Sequence, residues 1–258
     1  MTQCKKEKCR SLDRIRVVLV GTTHPGNIGG AARAMKAMGL RRLYLVRPER
    51  FPCAEATARA SGADDLLAGA VVCETLAKAV ADCHLVIGTT ARERRLPWPV
   101  LDPRACGELA LTHADAGEEV ALVFGREHSG LTNEELALCQ RAIRIPTDPD
   151  FSSLNLAAAV QVLCYELRMA AGAPQRREAA GRQERRVPPA TRQELDALHR
   201  HLLAAMTAVG FLDPDKPRQL PRRLARLLVR AGLDHNEVQI LRGFLAAVEQ
   251  TAERGRGA

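Results

Sequence analysis

With 258 residues, 46% of them hydrophobic, the chain has room for one α/β domain of about 150 residues and a smaller appendage. Aromatic residues make up only 3%, which argues against RNA held mainly by base stacking on aromatic side chains. The net charge of +8 is lopsided: residues 1–171 carry 22 Lys+Arg against 20 Asp+Glu, and residues 172–258 carry 16 against 10, so the C-terminal third is read either as a surface for a phosphate-rich partner or as a merely solvated arginine-rich one.

The eight cysteines form no CxxC and no Cys/His cluster, so no metal site is expected. The lysine-rich start leads into no long apolar run, and no stretch approaches the roughly 20 apolar residues that a bilayer requires. A cytoplasmic protein with reduced thiols and no membrane partner is the expectation.

Residues 1–13 read as a polar, disordered N-terminal tail. Arg16 to Val20 is a continuous run ending at Gly21, the pattern of a strand buried on both faces of a parallel sheet. Asn27 is the expected N-cap of a helix through Met38, which Gly39 stops. Strands are predicted over Leu43–Val46, Ala70–Val72, Leu85–Ile87, Val120–Phe124 and Ala142–Ile145. Helices are predicted over Ala54–Ser61, Thr75–Ala81, Pro103–Leu111, Asn133–Gln140 and Leu154–Ala170. This alternation calls for an α/β fold with a mostly parallel sheet covered by helices on both faces over residues 14–171.

Residues 172–190 carry five arginines, Pro188 and Pro189 and almost no large apolar residue, and read as a flexible linker. Beyond it, over residues 191–252, Leu195, Leu198 and Leu202, then Leu224, Leu227 and Leu228, then Val238, Leu241 and Leu245 recur at helical spacing. They predict a small three-helix extension, with Arg222, Arg223, Arg226 and Arg230 on the outer face of its middle helix.

Ligands bind outside the carboxyl ends of strands in such sheets. Three loops sit there: Gly21–Gly26, Gly88–Arg95 and Gly125–Gly130. The first leads into Asn27-Ile28-Gly29-Gly30, small enough for close approach of a backbone or a phosphate, with Arg33 one turn inside the helix. Arg33 reads as a functional cation or as a surface salt bridge. Thr89, Thr90 and Ala91 in the second loop can offer backbone groups to a small ligand; Arg92 and Arg94 can fork onto phosphate oxygens or form a plain basic turn. Ser152 and Ser153 can be helix caps or ligand contacts. His24 and His128 lack an obvious orienting carboxylate, and Glu127 is expected to organise its loop. Neither G-x-G-x-x-G nor a phosphate-loop lysine follows the first strand, which argues against a dinucleotide-dependent oxidoreductase.

Asn27-Ile28-Gly29 with Arg33-Ala34-Met35, Val123-Phe124-Gly125-Arg126-Glu127 with Gly130-Leu131, and Ile145-Pro146 with Ser153-Leu154-Asn155-Leu156-Ala157 resemble the three motifs of the SPOUT RNA 2′-O-methyltransferases. The likeness runs from about Ile15 to Gln250 and takes in Leu96-Pro97-Trp98-Pro99 and Ile240-Leu241-Arg242-Gly243. It implies a C-terminal trefoil knot in the domain, a homodimer with the active site near the subunit interface, and S-adenosyl-L-methionine as cofactor. Carried over by motif, the cofactor residues would be Thr89, Thr90, Ala91, Gly125, Ile145, Ser152, Ser153 and Leu154. The catalytic set would be Arg33, Asn27, Ser153 and Asn155, with Arg92, Arg94 and Arg126 on RNA. The implied substrate is the ribose 2′-hydroxyl of the pyrimidine at nucleotide 32 in the anticodon loop of tRNA.

Overall fold

The centre of the sheet is built from runs in which every residue is buried. β1 (Ile15–Val20) and β6 (Val120–Phe124) lie side by side, and burial on both faces follows from side chains that alternate between two apolar layers. In this computed structural model, residues 11–90, 100–151, 153–172 and 187–256 are described. Around the central pair stand β2 (Arg42–Val46), β3 (Val71–Cys73), β4 (Leu85–Thr89), β5 (Val100–Leu101) and β7 (Arg141–Ile143). The order is β3-β2-β1-β6-β4-β7-β5, and every pairing is parallel.

Ile15, Val17 and Leu19 face a layer formed by α1 (Pro25–Met38), α2 (Ala54–Ala60), α3 (Asp64–Ala68), α5 (Pro103–Asp115) and α7 (Leu156–Gly172). Val18 and Val20 face the opposite layer, with α4 (Leu76–Ala79) and α6 (Asn133–Leu136). Each fully buried Leu, Ile or Val contributes about 1.5–3 kcal/mol relative to an exposed one, so the two layers hold the sheet from both sides.

The run beginning at Arg16 is not wholly apolar. Arg16 is 1% exposed. Its Nη1 and Nη2 donate to Asp82 at 2.7 and 2.6 Å, Nη2 also reaches Glu119 at 3.0 Å, and the guanidinium stacks 4.6 Å from the centre of the Tyr44 ring. Arg42 joins through Glu119. This ionic knot lies at the amino end of the sheet, away from the strand ends where ligands bind.

Several boundaries differ from expectation. The tail is shorter: Leu12 is fully buried and Ser11 bonds to Asp115. His24, not Asn27, caps α1, its Nδ1 accepting from the Gly26 N–H at 3.3 Å, because Pro25 occupies the first helical turn. α6 is a single turn closed by a Thr132–Glu135 capping box. β5 and α3 had no counterpart in the sequence reading, being only 2 and 5 residues long.

The chain divides into two units, residues 1–181 and 182–258. The second holds α8 (Arg192–Ala208), α9 (Leu220–Ala231) and α10 (His235–Arg256) around Leu195, Leu198, Leu228, Val238 and Leu245. The end of the expected linker belongs to this unit: Ala190 is buried and donates to the Leu233 carbonyl at 2.9 Å. Leu227 is exposed instead of packed, and Val229 is buried in its place. No helix among the described residues is long and apolar enough to cross a membrane.

Candidate active site

β6, β4 and β7 are neighbours, so their carboxyl ends bring Phe124, Thr89 and Ile143 together. Thr89 Oγ1 donates to the Val123 carbonyl at 3.2 Å, and the Thr90 N–H to the Ile143 carbonyl at 2.9 Å, tying the β4 end to both neighbours. A cavity of about 270 Å³ opens there. Its floor and walls are apolar: Phe124, Leu131, Ile143, Ile145, Leu154 and Ala159. Its polar lining comes from Thr89, Thr90, Thr147, Ser153 and the segment Gly125 to Gly130, which includes Arg126, Glu127 and His128. An apolar slot with a hydroxyl- and amide-bearing rim suits a flat heterocycle carrying a polar tail.

The loop Gly125–Leu131 makes one wall. A Cβ on Gly125 would lie 2.1 Å from the Gly130 carbonyl carbon, so only glycine lets the loop fold back on its own strand. The Gly130 N–H donates to the Arg126 carbonyl at 2.8 Å, closing the loop.

Glu127 joins that loop to the start of α1. Its carboxylate accepts from the Thr23 N–H and hydroxyl, each at 3.1 Å, the His24 N–H at 3.2 Å and Asn27 Nδ2 at 2.9 Å. Burial pushes this carboxyl up, but the bonds from Asn27, Thr23 and His24 outweigh it and hold it below the usual glutamate range. Glu127 is therefore a loop organiser, as expected. Asn27 accepts in turn from Asn155 Nδ2 at 2.9 Å, and Asn155 Oδ1 caps α7 through the Ala157 N–H at 2.9 Å. The chain Glu127–Asn27–Asn155 thus binds together three segments about 100 residues or more apart in pairs that involve Asn27.

The glycines of α1 serve backbone packing. A Cβ on Gly29 would meet the Ala56 carbonyl oxygen at 2.1 Å, and one on Gly30 the Ala157 Cβ at 2.9 Å. α2 and α7 therefore press against α1 on either side of Arg33. Arg33 itself is exposed and has no salt bridge or hydrogen bond among the described residues. It does not line the cavity.

Thr89, Thr90, Gly125, Ile145, Ser153 and Leu154 all line the cavity. Ala91, Arg92, Arg94 and Ser152 lie outside the described residues. Arg126, the third arginine expected on RNA, is held by Glu135, its Nη1 and Nη2 each donating at 3.0 Å. His24 is not isolated either, since Glu55 lies 3.4 Å from Nδ1. His128 lines the cavity and is exposed. Thr147, Ala159 and the Arg126–Glu135 pair join the site only in the folded chain. Only the Thr-x-x-Glu spacing at Thr132 and Glu135 signalled the last of these, as a capping box.

The profile described as the SpoU rRNA Methylase family matches residues 14–165, the whole sheet and its site. The chain belongs to that family. A second profile, the TrmJ C-terminal domain of tRNA methyltransferases, matches residues 193–257 and places this SpoU-family chain in the TrmJ group. Over 246 residues it is 54% identical to the tRNA (cytidine/uridine/adenosine-2′-O-)-methyltransferase TrmJ of Pseudomonas aeruginosa strain UCBPP-PA14, covering 93% of this chain and 96% of the relative. It is 46% identical to the tRNA (cytidine/uridine-2′-O-)-methyltransferase TrmJ of Klebsiella pneumoniae, covering 93% and 98%. The crystal structure of TrmJ from Z. mobilis ZM4 superposes with a TM-score of 0.78 at 36% identity, covering 91% of this chain and 98% of that one. The SpoU family's sheet and helices are thus those built above from the apolar runs.

Proposed function

We propose that this chain transfers a methyl group from S-adenosyl-L-methionine to the ribose 2′-hydroxyl of cytidine or uridine in tRNA, at nucleotide 32 of the anticodon loop. The observation that carries this reading is the slot at the ends of β6, β4 and β7 in a SpoU-family sheet. Its apolar walls suit the adenine, and its hydroxyl and amide rim suits the ribose and amino-acid ends. Bound there, the donor supplies a methyl group activated by a positively charged sulfur, and no metal is called for.

The remaining work falls to the protein. Thr89, Thr90, Gly125, Ile145, Ser153 and Leu154 hold the donor, together with Ala91 and Ser152. Glu127, Asn27 and Asn155 lock the loops around it. Arg33, unpaired among the described residues, clamps the phosphate of the reacting nucleotide and stabilises charge developing on its 2′-oxygen. A permanently charged guanidinium is better suited to that task than to removing a proton. Arg92 and Arg94 extend the RNA contact.

The exposed face of α7 carries Ala158, Tyr165 and Met169, and Phe151 and Leu154 are exposed just before the helix. Such a patch supports a homodimer buried over this face, with the active site beside it. We take residues 14–171 as the methyltransferase domain and 191–252 as a helical extension with an arginine face for phosphates. A tRNA substrate implies the cytoplasm. A trefoil knot is part of the same reading: β7 inserts between β4 and β5, both of which precede it in the chain. The test is mass spectrometry of nucleosides from unmodified tRNA incubated with the protein and labelled donor. One labelled 2′-O-methylpyrimidine mapping to nucleotide 32 is the expected result; base methylation or no transfer refutes the reading.

A further inference from the structure

Arg126 and Glu135 have no part in methyl transfer as outlined above, yet they form a forked ion pair at the base of the cavity loop, 27% and 13% exposed, with Arg126 also lining the cavity. The fit is built from three segments. At the end of β1, Gly21 has φ +58° and lacks the Cβ that would stand 2.8 Å from Arg126 Nε. At the start of α6, the Glu135 carboxylate also accepts the Thr132 N–H at 2.8 Å, while the Glu135 N–H donates to Thr132 Oγ1 at 3.1 Å. Within the loop, the backbones of Arg126 and Gly130 bond to each other in both directions. The residues closed off by that bridge, Glu127 to Gly130, all face the cavity.

We propose that Arg126 and Glu135 are positioning residues, a clasp that fixes the width of the donor slot before the donor arrives. The inference rests on the donor site proposed above. Held at its base by the ion pair, the loop presents its N–H and C=O groups in one arrangement. Without the pair, the donor itself has to order the loop, and affinity falls. The clasp acts on the donor slot, so tRNA affinity serves as its control.

The full-length chain tests this with three variants. Arg126→Ala removes the fork. Glu135→Gln keeps an acceptor for the Thr132 cap but removes the charge. The third combines both. Donor affinity is measured by calorimetry without RNA, tRNA affinity across a salt series without donor, and amide exchange at Gly130 in the apo protein. Each single variant should weaken S-adenosyl-L-methionine about tenfold and raise its KM with kcat little changed. The double variant should be no worse than either single one. Exchange at Gly130 should quicken, while tRNA affinity and its salt slope stay as in the wild type. Arg126→Lys, which keeps the charge but not the fork, should fall between and guards against a folding defect. Unchanged donor affinity or unchanged Gly130 exchange overturns the clasp. So does loss of tRNA affinity with a shallower salt slope, which would make Arg126 an RNA contact. A wild-type chain that binds no donor refutes the donor site instead, and the exchange measurement still judges the clasp.

Discussion

Arg33 shows how one side chain's value depends on what surrounds it. Two glycines let α2 and α7 close in on α1, and the arginine between them keeps its guanidinium in solvent without an ion pair among the described residues. Replacing it with alanine should lower methyl transfer by roughly 10²- to 10³-fold, the scale of losing one donor aimed at developing charge. Donor affinity by calorimetry should stay within twofold. Near-normal turnover would remove Arg33 from the chemistry. Its position was legible in the sequence, because residues three and four apart share a helix face and Gly29, Gly30 and Arg33 follow that rule. Arg126 was not legible. A lone sequence shows an arginine in a glycine-rich loop, but it does not show that the guanidinium meets a carboxylate nine residues on.

Among the elements, the α1 start, the Gly125–Leu131 loop and the α7 start behave as one piece because Glu127 and Asn27 join them. Glu127→Ala would strand the Thr23 and His24 N–H groups and Asn27 Nδ2. These donors are half-buried or exposed, so the cost should stay below the roughly 1–3 kcal/mol per fully buried donor, visible as a lower Tm, with weaker donor binding. The pH dependence has a definite sign. The folded pKa values of Glu127 and Glu135 lie below the free-glutamate value of 4.5. Their contribution is therefore fully present above about pH 4.5 and is lost as pH falls through the folded values. A Tm series from pH 7 downward should show this loss in the wild type and a reduced one in Glu127→Gln; parallel curves would contradict it. β1 and β6 could be read within a residue because burial on both faces leaves an unbroken apolar run. α3 and β5 could not, since one helical turn or two paired residues leave no period to detect.

At the scale of the molecule, the exposed Tyr165 and Met169 on α7 predict a dimer. Tyr165→Glu with Met169→Glu should convert it to a monomer in sedimentation and abolish turnover, while the isolated chain still melts cooperatively. A wild type that is monomeric at micromolar concentration would count against the shared interface. The parallel sheet followed from the alternation of strands and helices, but the strand order did not, because the sequence carries no record of which buried run lies beside which.

That order also bears on biosynthesis. β7 pairs with β4 on one side and β5 on the other, so a nascent chain in which β7 has not yet emerged leaves that border of β4 uncovered and open to pairing with another chain. The hazard ends only when residues 141–143 have emerged and found their berth. The cavity proposed for the donor is finished later still, since Ser153 and Ala159 also line it.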